Sequence, residues 1–136
     1  MKKVNIYFIF LIFFIILNSC QDLVYVKHIT GRYYLVAVDT DDQMDLGFQT
    51  ESKDYIGLLG QTVFAVGFNK NYIIAKQHHY NNRNITNYYI IFIYHEMTYW
   101  PEKGVIGPFT KEEFNKKRHE LNISDIKFTK VIKSLE

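Results

Sequence analysis

The chain has one cysteine in 136 residues, Cys20. No internal disulfide can form, so stability must come from a packed core. Charge of one sign is also lacking. Lysine and arginine number 16 against 14 aspartate and glutamate. The excess of +2 is Lys2 and Lys3, so residues 20–136 have no net charge. No long-range field steers them toward nucleic acid or acidic substrates, and no Lys/Arg cluster interleaved with aromatics appears. Low-complexity segments, internal repeats and a linker that would split the chain are absent, which fits one domain of this length. Catalytic motifs are missing as well. There is no GxSxG, and an HExxH at His95-Glu96 fails because Tyr99 stands where the second histidine is needed.

What is present begins with a greasy run. After the two lysines, Ile6 to Leu17 reads IYFIFLIFFIIL, twelve apolar residues without a charge. That is shorter than the roughly 20 residues a membrane-spanning helix requires. It matches the apolar core of a secretory signal peptide. A buried core helix or an uncleaved anchor is the competing reading. Directly after it, Leu17-Asn18-Ser19-Cys20 resembles the bacterial lipobox. The resemblance implies a diacylglycerol thioether on Cys20, cleavage between Ser19 and Cys20, and acylation of the new amine by a palmitate-type chain. A free cysteine near an ordinary cleavage site is the alternative. Two or more acyl chains anchor a protein stably, each buried methylene contributing about 0.8 kcal/mol. The expected organisation is a lipoprotein signal peptide over 1–19, a lipidated N-terminus and tether over 20–30, and a single β-rich domain over 31–136. The expected place is the bacterial cell envelope, on the inner or the outer membrane.

The domain itself reads as strands. Aromatics make up 17% of the chain, with 11 Tyr and 11 Phe, and beside Val and Ile these favour strands. Asp54 to His79 predicts a three-strand meander. Gly60-Gln61 serves as a Gly-first hairpin loop, and Asn69-Lys70-Asn71 is a longer connection whose Asn residues tolerate left-handed backbone. Thr62 to Phe68 is apolar on both faces, which predicts a central strand. Arg32 to Val38, Met44 to Thr50 and Tyr88 to Tyr94 add strands, the last after a polar loop over 81–87. Ile126, Phe128 and Ile132 predict a half-exposed edge strand, and Val24 to Ile29 is either one more strand or the tether. Pro108 stops whatever precedes it. Thr110 and Glu113 have capping-box spacing, with acids near the start and bases near the end of one short helix. Its apolar stripe is narrow, Phe114 and Leu121, so it belongs on a sheet surface. The expected fold is mainly β (α+β), an antiparallel meander sheet of about six to seven strands with one short C-terminal amphipathic helix.

The stretches GRYYLVAVDT, YIGLLGQTVFAVGFNKNYIIAKQHH, NYYII and PEKGVIGPFTKEEFNKKRHELNI together resemble an uncharacterised family of small bacterial lipoproteins best known from Bacteroidetes. The likeness covers roughly Gly31 to Phe128 and fits the lipobox. It implies a bacterial envelope setting and carries no catalytic residue, substrate or cofactor.

Few residues invite chemistry. His78 and His79 are adjacent, and strand neighbours point to opposite faces, which argues against a shared metal. No recognised ligand spacing links them to His28, His95 or Glu96. No metal and no cofactor are expected. His95-Glu96 could serve acid–base chemistry or simply end a strand before the turn at Pro101. Asp39, Asp41, Asp42 and Asp45 form an acidic turn without the glycine and distal glutamate of an EF-hand. Tyr94, Tyr99 and Trp100 are aromatics beside a loop, able to stack on a sugar or fill a partner's pocket, or to cap the core. The function expected is a non-catalytic binding or structural module at the membrane surface, held by its lipid and meeting a protein, peptide or glycan. A small periplasmic inhibitor or immunity protein is the alternative. A hydrolase using His78, His79, His95 or Glu96 is a third reading, and whether the protein is an enzyme is left open.

Overall fold

The computed structural model describes residues 23–79 and 82–136. Ser19 and Cys20, the expected cleavage and lipidation sites, lie outside the described residues. Among the described residues nine strands form: β1 (Tyr25–Thr30), β2 (Tyr33–Ala37), β3 (Asp45–Gln49), β4 (Tyr55–Gly57), β5 (Val63–Phe68), β6 (Tyr72–His79), β7 (Asn82–Phe92), β8 (Val105–Phe109) and β9 (Lys130–Val131). A helix, α1 (Lys111–Glu120), lies between β8 and β9.

The strands make two antiparallel sheets, not one meander. The first runs β1-β2-β3-β4 and the second β8-β7-β6-β5-β9. The expected hairpin at Gly60-Gln61 is in fact the crossing from one sheet to the other. Gly60 does take the positive φ of +74° that favours glycine, but β4 pairs with β3 while β5 pairs with β6 and β9. Gln77, buried on β6, explains how the crossing is held. Its Nε2 donates to the carbonyls of Leu59, Gly60 and Gln61 at 2.6, 3.1 and 3.2 Å. Its Oε1 accepts from Tyr89 Oη at 3.0 Å. A part-buried bend that would otherwise leave its carbonyls without a protein donor is thus satisfied by one side chain.

Alternation along β6 and β7 builds three layers. Ile73, Ala75, Ile91 and Ile93 face the first sheet and share its core with Tyr33, Leu35, Leu46 and Phe48. Ile74 and Ile90 face the other way, against Phe114 of α1, Ile123 and Ile126. The helix starts as its sequence demands. Thr110 Oγ1 accepts from the Glu113 N–H, and Glu113 returns the bond to the Thr110 N–H at 2.8 Å.

Four local expectations are decided or changed. Of the two readings of Val24 to Ile29, strand or tether, the strand holds from Tyr25 onward, paired from Tyr25↔Ala37 to His28↔Tyr34 and, after a register shift, at Thr30↔Tyr33. The polar stretch Asn82 to Asn87 is not loop. It extends β7, and Asn87 and Thr86 pair with Gln77 and His78. Pro108 lies within β8 and does not stop it, which an edge strand tolerates. The C-terminal edge strand shrinks to Lys130–Val131, and the residues before it cross over β5 at Gly67, where a Cβ would run into the Lys127 carbonyl oxygen.

Candidate functional site

The aromatic candidates lie on the connection from β7 to β8. Ile93 is buried and Met97 packs against the main core, so this connection is pinned from below. A 3-10 turn, Pro101–Gly104, closes it, with Pro101 and Gly104 both buried. Between these anchors Tyr99 is 80% exposed and Trp100 61%. The Trp100 N–H donates to Thr98 Oγ1 at 3.2 Å, and Lys103 Nζ stands 5.3 Å from the indole centroid. The lysine contact is a cation–π pair that braces the ring without covering it.

Tyr94 behaves differently. It is half-buried, its N–H donates to Tyr33 Oη at 3.1 Å, and its ring meets Phe92 edge-on at 5.6 Å. The Tyr33 hydroxyl itself donates to the Phe92 carbonyl at 3.2 Å, and burial raises its pKa. Tyr94 thus fixes the root of the loop, while Tyr99 and Trp100 stand out from it. Phe92, 44% exposed and edge-on to Tyr72 at 5.8 Å, continues the aromatic surface along the strands. Of the expectation that these three aromatics either cap the core or meet a partner, Tyr94 follows the first and the other two are open to the second.

His28 lies apart on β1, and His78, His79 and His95 sort into two further places. His78 and His79 end β6, where a register shift lies between them. The bulge lets both line one cleft of about 350 Å³ with Thr62, Asn82 and Arg83, whereas ideal alternation would have sent them to opposite faces. His78 is buried, stacked on Phe64 at a 4.2 Å centroid distance, and its Nε2 lies 2.8 Å from the Leu135 carbonyl. The carbonyl can only accept, so Nε2 carries the proton. Arg83 forms an ion pair with Asp42 across the cleft. His95 and Glu96 are exposed beyond the far end of β7. Tyr72 pairs with Phe92 and His79 with Asn82, so the two groups sit at opposite ends of a ladder roughly 25 Å long. They do not converge. Among the described residues no three of His, Cys, Asp or Glu gather as a metal site would require.

Fold and surface together define a small two-sheet β protein with a helix laid on one sheet and an aromatic loop at one end. Residues 30–132 match the family described as "Protein of unknown function (DUF3997)", and the chain belongs to that family. No curated protein and no solved structure matches it.

Proposed function

We propose that this protein is a non-catalytic binding module of the bacterial cell envelope, anchored by lipid at Cys20 and presenting Tyr99 and Trp100 to a protein, peptide or glycan partner. The observation that carries the reading is the exposure of those two side chains, 80% and 61%, on a loop that the buried Pro101 and Gly104 hold to the body of the domain. Large aromatic area left in water favours contact with a partner, where Tyr and Trp supply much of the binding energy. The lipobox-like LNSC supports the anchor, and the family match begins at residue 30, after that segment. From Cys20 to Tyr25 is a reach of at most about 18 Å. A lipid on Cys20 would therefore keep the domain close to the bilayer, and Leu23, Val24 and Val26, all exposed, lie at the anchored side.

The test is cross-linking in native cells, with a photoreactive phenylalanine analogue at position 99 or, as a control, at Lys116 on α1. The expected result is a discrete adduct from position 99, absent from position 116 and lost when Trp100 becomes Ala. Equal patterns from both positions, or none from 99, would remove the aromatic loop from the proposal.

A further inference from the structure

A second surface lies along one side of the molecule, where β1 edges the first sheet and β9 the second. Lys130 joins the two edges, its Nζ donating to the His28 carbonyl at 2.9 Å. Tyr25, Lys27, Thr129, Lys130 and Val131 line a cleft of about 310 Å³ between them. Charge along this side has one sign. Residues 23–30 and 126–135 carry Lys27, Lys127, Lys130 and Lys133 and no aspartate or glutamate. Lys27, Lys127 and Lys133 are exposed. Six carboxylates and one lysine lie instead between β2 and β4, over residues 39–54. The whole domain is thus neutral, but its charge is sorted. Apolar side chains stand bare among the lysines: Val24, Val26 and Val131 are all exposed. Lysines on an edge strand also guard it against pairing, but that role needs neither a single sign of charge nor exposed valines beside it. This is also the side from which the chain leads back to Cys20. Four residues separate Cys20 from Val24, a reach of at most about 14 Å.

We infer that the β1–β9 edge is a docking surface for an anionic bilayer, with the four lysines on headgroup phosphates and the three valines at the boundary between headgroups and acyl chains. The inference rests on the anchor proposed at Cys20 and adds what the anchored domain lies on. A lipid alone sets the distance from the membrane; this edge sets which side of the domain faces it. Long lysine stems let the ammonium groups reach headgroups on both sides of the edge strand. Each lysine near an anionic surface favours the docked over the lifted state by about fivefold.

The test adds the protein isolated from its native host to phosphatidylglycerol vesicles, to phosphatidylcholine vesicles and to detergent, and reads lysine acetylation by mass spectrometry. Lys27, Lys127 and Lys133 should lose reactivity by about fivefold or more on phosphatidylglycerol alone. Lys53 and Lys116, exposed on other surfaces, should not change. The protection should vanish at about 1 M salt, where the Debye length falls to about 3 Å, with the protein still held on the vesicles by its lipid. Lys27→Gln combined with Lys133→Gln should lower the ratio of docked to lifted states by about 25-fold. That loss reads as restored reactivity at Lys127, with an unchanged melting temperature. Unprotected edge lysines on protein retained by phosphatidylglycerol vesicles, or equal protection of Lys53 and Lys116, overturn the docking edge and leave the anchor standing. A bare Cys20 on protein that still shows the pattern overturns the anchor and leaves the edge standing. Protein with a bare Cys20 that neither vesicle retains overturns both.

Discussion

Gln77 shows how much one side chain can decide. It is buried among apolar neighbours and spends both ends of its amide, the donor end on the crossing between sheets and the acceptor end on Tyr89. Leucine fills a similar volume but leaves the carbonyls of residues 59–61 without donors. Gln77→Leu should therefore cost about 2 kcal/mol, since part-buried carbonyls lose their donor and regain only some of it from water. Tyr89→Phe should cost about 1 kcal/mol, a single bond. Urea unfolding of both variants checks the ranking, and equal losses would contradict it. Asp45 makes the opposite case. Its folded pKa is raised, so the protonated form is favoured by folding. The resulting stability is present at acid pH and lost as pH rises through the folded value. Asp45→Asn should flatten that decline and melt at neutral pH no lower than the parent. A markedly lower melting temperature would show that the carboxylate is structural.

At the scale of elements, α1 is the part most legible in the sequence, because its signals are local. Thr110 and Glu113 cap it as their spacing requires, and Phe114 reaches the sheet as the narrow stripe implies. Thr110→Ala should cost about 1 kcal/mol at neutral pH. The hydrogen bonds from the Thr110 N–H and hydroxyl hold Glu113 below the usual carboxylate range. A depressed carboxyl contributes above its unfolded pKa and loses that contribution as pH falls through the folded one. The deficit of Thr110→Ala should accordingly shrink in acid, and a deficit independent of pH would contradict the reciprocal bond. Strands β2, β3, β5 and β6 were equally legible from alternation and turn residues. The N-terminal half of β7 was not, because NRNITN is polar and reads as loop; its pairing with Gln77 and His78 is a tertiary fact. Gly67 is another such case. Nothing local to β5 demands glycine, but the chain at Lys127 crosses there, and Gly67→Ala should cost about 2 kcal/mol through the displaced segment.

At the scale of the whole molecule, division into two sheets could not be read from the chain. A Gly-Gln pair between two apolar runs looks the same whether it closes a hairpin or crosses between layers. The choice is made by a glutamine sixteen or more residues away. The candidate surfaces follow the same rule. Tyr99 and Trp100 were visible as aromatics beside a turn, yet only the buried Pro101 and Gly104 show that the loop is supported while its tips are bare. The proposed location rests on the lipobox-like segment alone. The account of this protein as an anchored envelope module is therefore tested most directly by mass spectrometry of the N-terminal peptide isolated from its native host. It predicts a peptide beginning at Cys20 and carrying a diacylglycerol thioether. A peptide with Cys20 unmodified, or one that still contains residues 1–19, would contradict it.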